Sequence, residues 1–359
     1  MKNFLTVIFT FVSLFAASQY PPVDLPGSEK RKFASKIVGQ EYELHIQATG
    51  VTNEPGKKYP VIYLLDSQWD FPLVRSVIGQ QFYDGFIPAV ILVGITWGGE
   101  HPNHDSLRVR DFTPTNEAPF LQSGSARKFL SFIKEELIPY MESEFSTDKN
   151  NRVLMGCSFG GLFTMYSLFE EPGLFQSYIA ASPAYDWDKQ RLYSFEKKYF
   201  DKKNHPGTKL YMTIGDVEPG VPGYNKLFQH LQSRKYSNIS MRSFVLENTG
   251  HSGTKSETYS KGLQFAFERP QLMLPKEDLK KYTGIYKSEN NKNASIHVKG
   301  DQLELLLSPG NSYLLYAESE NSFYSKAEFF KVKFGIENNK VSTMSLQTYS
   351  STEILRKTQ

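Results

Sequence analysis

Residues 153–161 read VLMGCSFGG. Within them, Gly156-Cys157-Ser158-Phe159-Gly160 is a Gly-x-Ser-x-Gly, a short pattern that recurs by chance in long chains. Its surroundings give it meaning. NRVLMG, residues 151–156, reads as a buried strand, and LFTMYSLFEE, residues 162–171, as a helix. A strand–turn–helix places the serine on a sharp, strained turn with its Oγ clear of the sheet. Small residues at 156 and 160 let neighbouring backbone approach that turn, and Gly161 adds clearance. The helix N-terminus behind Ser158 offers partial positive charge to a developing oxyanion. Ser158 is the candidate nucleophile; the plainer alternative is a serine capping a helix.

Working outward, apolar runs punctuate residues 36–268: YELHIQ, YPVIYLLD, AVILVGI, NRVLMG, SYIAAS, TKLYMTIG and ISMRSFVL. Several are continuous rather than alternating, as strands buried on both faces require. Helix-like stretches lie between them. In SARKFLSFIKEELIPYMESEF, Phe129, Phe132, Ile133, Leu137 and Met141 recur at helical spacing, and Pro139 predicts a kink. Residues 221–236 and 252–268 read as two more helices. The fold class is α/β: a doubly wound, mostly parallel sheet covered by helices on both faces. Beyond residue 278 the texture changes to short alternating stretches with turn signals such as Gly300-Asp301, Pro309-Gly310 and Asn338-Asn339. These predict a small antiparallel β barrel or sandwich. The expected organisation is a signal peptide over 1–18, an α/β domain over 19–268, a linker over 269–278 between Pro270 and Pro275, and a β domain over 279–359.

The chain of 359 residues is 40% hydrophobic and 14% aromatic, enough for packed cores. Its 41 basic and 38 acidic residues nearly balance, which gives no electrostatic case for nucleic acid. Lys2 precedes an apolar run from Phe4 to Ala17, with Ala16 and Ser18 at the small-residue positions before a cleavage between Ser18 and Gln19. That reads as a secretory signal peptide too short to span a bilayer, and later segments are not apolar enough to cross one. Cys157 is the single cysteine, so no disulfide staples the fold and no lipoprotein cysteine follows the signal. The periplasm or the medium fits this usage.

A nucleophilic serine needs a base. Of seven histidines, His251 follows ISMRSFVL in the loop ENTGHSG, ahead of the last helix of the large domain. That is where a hydrolase sheet of this kind delivers its histidine. His45 falls in an early strand, His205 and His230 in polar surroundings, and His297 in the second domain. The orienting carboxylate is expected after the preceding strand, where TKLYMTIGDVEPG supplies Asp216 and Glu218. The common Gly-x-x-Asp/Glu form of that loop selects Glu218 after Gly215; Asp216 is the alternative acid, and a Ser-His dyad without one stays open. The order Ser158, Glu218, His251 is that of α/β-hydrolases. One oxyanion donor is the backbone N–H of Phe159; the second comes from the loop after VIYLLD, where SQWDF leads into a helix.

These residues carry a resemblance. PVIYLLDSQWDF, RVRDFTP, NRVLMGCSFGGLFTMYSLFEEPGLFQSYIAASPAYDW and GHSG resemble the α/β-hydrolase esterase family that includes enterobactin-type siderophore esterases, S-formylglutathione hydrolases and mycolyltransferases. The likeness spans roughly residues 36–268 and is strongest from Arg152 to Trp187. It implies that the second oxyanion amide is the N–H of Gln68, two residues beyond Asp66, in a loop where Ser67 stands in place of a frequent glycine. Cys157 stands where that family often has histidine and reads as packing. LKKYTGIYKSENNKNASIHVKGDQLELLL resembles the lipocalin-like β domain found after β-lactamase-related hydrolases, and could cover the active-site mouth, bind substrate or stabilise.

The resulting expectation is a serine hydrolase acting on a small-molecule carboxylic ester through an acyl-enzyme. An acyltransferase of the same chemistry and an inactive binding protein on the same scaffold are the rivals. Such chemistry calls for no cofactor and no metal. GGEHPNHD brings His101 and His104 close in sequence, but Pro102 and the glycines argue for an open rim loop. Trp69, Tyr185 and Trp187 fall in loops near the same mouth, as substrate rim or as packing.

Overall fold

A computed structural model describes residues 24–358 apart from 53, 203–204, 291, 308–309, 329 and 349–350. The expected signal peptide lies outside the described residues. Eight strands form one sheet: β1 (Ser28–Ser35), β2 (Gln40–Thr49), β3 (Tyr59–Leu64), β4 (Val90–Trp97), β5 (Thr147–Cys157), β6 (Ser177–Ala181), β7 (Thr208–Gly215) and β8 (Ile239–Leu246). Their spatial order is β1-β2-β4-β3-β5-β6-β7-β8. β1 and β2 run antiparallel to their neighbours, and every pairing from β4 to β8 is parallel. The apolar-run reading missed β1, whose SEKRKFAS is charged; such a strand suits a sheet edge, where charge deters further pairing.

Helices cover both faces. They are α1 (Ser67–Tyr83), α2 (His104–Phe112), α3 (Ala126–Phe132), α4 (Ile138–Glu144), α5 (Phe159–Glu170), the short α6 (Trp187–Gln190), α7 (Leu192–Phe200), α8 (Val221–Ser233) and α9 (Thr254–Ala266). The strand period divides the core. Leu154 of β5 packs with Phe129, Phe132 and Phe163 on one face, while Val153, Met155 and Cys157 pack with Val74, Tyr259 and Leu263 on the other. The kink expected at Pro139 takes a specific form. Residues Ile133–Leu137 make a π-helical turn between α3 and α4, widening the helix just where proline lacks an N–H to donate.

The C-terminal strands are β9 (Gly284–Lys287), β10 (Asn293–Lys299), β11 (Gln302–Leu307), β12 (Asn311–Ala317), β13 (Ser322–Ser325), β14 (Lys331–Glu337), β15 (Lys340–Gln347) and β16 (Thr352–Lys357). They close into an antiparallel barrel in which β9 joins β10 to β16. Asn338 and Asn339, with φ of 51° and 63°, make the two-residue hairpin that joins β14 to β15. The expected linker carries one further helix, α10 (Lys276–Lys280), whose Glu277 and Asp278 suit the positive end of a helix. Among the described residues, no helix is long and apolar enough to cross a membrane.

Candidate active site

The site lies where β3 and β5–β8 end. Ser158 follows β5 and caps α5 at φ 60°, ψ −118°, a conformation a non-glycine residue holds only when its surroundings impose it. Those surroundings are visible. The Ser158 N–H donates to Ala181 O and the Ala184 N–H donates to Ser158 O, each at 3.0 Å, tying the turn to the end of β6. A Cβ on Gly156 would stand 2.8 Å from the carbonyl carbon of Gly160, and one on Gly161 would stand 2.9 Å from Cα of Pro183. Both glycines therefore permit contacts of backbone on backbone.

Glu218 and His251 come together beside this turn. His251 Nδ1 lies 2.6 Å from Glu218 Oε2, while Glu218 Oε1 accepts from Ser182 Oγ at 2.6 Å and from the Gly215 N–H at 2.8 Å. Burial pushes the Glu218 carboxyl up, but those three donors outweigh it and hold it below the usual carboxylate range. Thr254 Oγ1 donates to His251 O at 2.7 Å and lies 3.1 Å from Ser182 Oγ, fixing the histidine loop against α9. Asp216, one step past Gly215, is fully exposed and does something else: it accepts from the Thr249 N–H at 3.1 Å and so braces the loop that carries His251. Among the described residues no hydrogen bond joins Ser158 Oγ to His251; such bonds commonly tighten only with substrate in place.

Opposite Ser158, Asp66 adopts the left-handed conformation at φ 54° and begins α1. Gln68 and Phe159 both fall in the first turn of a helix, α1 and α5, where N–H groups have no partner within the helix. Ser67 fits where glycine is frequent because Gly94 lies beneath it: a Cβ there would stand 2.1 Å from Ser67 Oγ. The hydroxyl meets His45 Nδ1 at 2.8 Å, and His45 Nε2 meets Glu43 at 2.7 Å, so a histidine set aside as an early-strand residue helps hold this loop.

Arg108 grips the same turn. Its Nε and Nη2 donate to the two oxygens of buried Asp66 at 3.0 and 2.8 Å, and Nη2 lies 3.4 Å from Cys157 O. Burial pulls the guanidinium down, yet the paired carboxylate more than offsets this and keeps it above its usual value. Sequence reasoning quoted Arg108 within RVRDFTP without giving it a task, and no local pattern announced Ser182. Lys255 donates to buried Asp70 at 2.7 Å, and both Lys255 and Arg108 lie over the ring of Trp69, at 6.0 and 5.6 Å. Trp69 is 49% exposed, whereas Tyr185 and Trp187 are each only 7% exposed and bonded to Gly220 O and Thr115 O. Cys157 is buried and its thiol is pushed up to about 12, so it presents no thiolate near neutrality. In GGEHPNHD, Asn103 caps α2 and His104 opens that helix, so only part of the stretch is open loop. Among the described residues, no group of three or more His, Cys, Asp or Glu could hold a metal ion.

Comparison with known proteins gives this arrangement its family. The model of the family described as "Putative esterase" matches residues 35–235, more than half of the chain. The chain belongs to that family. This esterase is 30% identical over 263 residues to "Ferri-bacillibactin esterase BesA" of Bacillus subtilis, covering 67% of this chain and 90% of the relative. It is 25% identical over 237 residues to "Siderophore triacetylfusarinine C esterase" of Aspergillus fumigatus, covering 62% and 79%. The solved structure of BES protein from Bacillus cereus superimposes with a TM-score of 0.64 at 29% identity, over 70% of this chain and 98% of that one. Residues 268–358 match a domain of unknown function (DUF3471), the region of the barrel. The esterase is thus a serine carboxylic-ester hydrolase with an α/β-hydrolase sheet followed by a closed antiparallel barrel.

Proposed function

We propose that this esterase hydrolyses siderophore-type esters outside the cytoplasm through a Ser158–His251–Glu218 triad and an acyl-enzyme. The observation that carries the reading is the 2.6 Å contact of His251 Nδ1 with Glu218, beside a strained Ser158 turn at the same end of the sheet. With Nδ1 so occupied, Nε2 is the free base. It takes the Ser158 proton as Oγ attacks the ester carbonyl, and the N–H groups of Phe159 and Gln68 receive the oxyanion, each worth about 3–4 kcal/mol in the transition state. His251 then returns the proton to the leaving alcohol, and water repeats the sequence to release the acid. Trp69, flanked by two cations, forms the exposed rim, while buried Trp187 packs edge-on against Phe159 with ring centroids 5.3 Å apart. The substrate class follows the printed names of the siderophore esterase relatives. Secretion follows from residues 1–18 read as a signal peptide and implies a mature N-terminus at Gln19.

Intact mass spectrometry after treatment with a fluorophosphonate tests the nucleophile: wild type gains one adduct and Ser158→Ala gains none. Assay of both proteins on ferri-bacillibactin and on a p-nitrophenyl ester tests the substrate class. Preference for the siderophore is expected, with Ser158→Ala reduced by at least about 10³-fold on both. An adduct on Ser158→Ala, or undiminished turnover by it, refutes the triad; a wild type that cleaves only the simple ester refutes the substrate class.

A further inference from the structure

The barrel does not act as a cup. Tyr282, Tyr286, Phe323, Phe334 and Met344 fill its interior, as eight strands leave just enough room for side chains. Its distinctive surface lies outside, where it faces the β8 edge of the sheet. There a groove of about 590 Å³ runs between the two parts of the chain, within the size range of small-molecule sites. Tyr211 of β7, Phe244 of β8 and Phe265 of α9 make an aromatic floor, with ring centroids of Tyr211 and Phe244 5.6 Å apart and of Tyr211 and Phe265 6.1 Å apart. Phe244 is 47% exposed, a large apolar ring left open on a strand. Tyr324 of β13 contributes from the barrel side.

The groove is also cationic. Arg242, Lys261, Arg269 and Lys326 line it against one carboxylate, Glu268, which Arg242 already holds at 2.9 and 3.2 Å. Among the described residues, Lys261, Arg269 and Lys326 have no carboxylate partner. The Arg269 guanidinium lies 5.0 Å over Tyr324, and Lys326 donates to Gln271 at 3.3 Å, so two of the three are held at the groove by neutral groups. Rings beside unneutralised cations suit a ligand that carries both a π-face and a negative charge. α9 begins three residues after His251 and lines the groove with Lys261, Gln264 and Phe265 of its second half, so roughly 10 Å or more of helix separates the groove from the site.

We propose that the groove between the β8 edge and the barrel is a second ligand site, taking an anionic aromatic molecule of the aryl carboxylate class. The barrel, rather than enclosing a ligand, supplies one wall of this site. The proposal does not depend on what Ser158 does. Isothermal titration of the full chain with 2-naphthoate tests it, with 2-naphthamide as the uncharged counterpart. Naphthoate is expected to bind one site, the amide about tenfold or more weakly. Lys261→Glu combined with Lys326→Glu is expected to weaken naphthoate by about tenfold or more, with folding checked by circular dichroism. Phe244→Ala, an independent variant at an exposed floor position, is expected to weaken both compounds. No naphthoate binding, equal affinity for the amide, or unchanged affinity in both variants overturns the proposal. So does a change in sedimentation of the unliganded double variant, which would make a second copy of the chain the occupant.

Discussion

At the scale of single residues, two carboxylates three positions or fewer from Gly215 have separate tasks. Glu218 accepts from Ser182, Gly215 and His251, while exposed Asp216 accepts from backbone N–H groups of the His251 loop, Thr249 first among them. Glu218→Gln would present an amide N–H or a weaker acceptor to His251 and favour the wrong tautomer. Steady-state kinetics should show kcat lowered by roughly 10²–10⁴-fold with KM little changed. Asp216→Asn keeps an acceptor oxygen for Thr249 and should stay within about threefold of wild type. Equal effects of the two substitutions, or none from Glu218→Gln, would favour a Ser-His dyad. Chain order and the Gly-x-x-Glu spacing made Ser158, His251 and Glu218 legible as candidates, because each follows a strand that the sequence predicts. Ser182, Arg108 and His45 were not legible as participants. Their tasks are hydrogen bonds between segments far apart in sequence, and no local pattern encodes these.

At the scale of elements, the strand β5, the Ser158 turn and helix α5 are one unit held by backbone contacts. Gly161→Ala would drive a Cβ to 2.9 Å from Pro183 Cα and 3.0 Å from Ala181 O, both backbone atoms that cannot swing aside. Urea denaturation should show a loss of about 1–3 kcal/mol. Gly79 is the contrast: it sits exposed inside α1, with nothing within 4 Å of a Cβ. Gly79→Ala should therefore stabilise by about 0.5–1 kcal/mol through helix propensity alone. If both substitutions shift the urea midpoint alike, close backbone approach at residue 161 is not the constraint. Five of the seven apolar runs, those of β3 to β7, were legible as strands because a doubly covered sheet demands unbroken hydrophobicity, while those of β2 and β8 show an alternating pattern. β1 was not, since a charged edge strand gains its place from pairing with β2, as Phe33 does opposite Tyr42. The π-helical turn before Pro139 was legible only as a kink, because how a helix absorbs a missing donor depends on its packing.

At the scale of the whole molecule, stability rests partly on buried carboxylates with more than one donor. Glu196 of α7 is the fullest case: it is 0% exposed and accepts from Arg234 at 2.8 and 3.0 Å, from His230 at 2.8 Å and from Tyr236. Burial pushes its carboxyl up, but Arg234, Tyr236 and His230 together hold it below the usual range. Glu218 is depressed too, as is Glu142 despite its own burial, through Lys149 and Arg152. A group whose folded value lies below its unfolded value stabilises above the unfolded carboxylate range and loses that contribution as pH falls through the folded value. Asp70 acts in the opposite direction, since burial leaves it raised despite Lys255 and Tyr259. Among the described residues eight carboxylates are depressed, Glu43, Glu54, Glu142, Glu196, Asp216, Glu218, Glu304 and Glu353, against Asp70 raised, which makes acid the destabilising direction. The urea midpoint should fall between pH 7 and pH 3.5. Glu196→Gln should cost about 1–3 kcal/mol at pH 7 and distinctly less at pH 3.5, below the ordinary carboxylate range, where the unfolded chain already holds this carboxyl protonated. A cost that is the same at both pH values would mean that Glu196 contributes through shape and neutral hydrogen bonding, and that the charge on its carboxylate adds nothing to the fold.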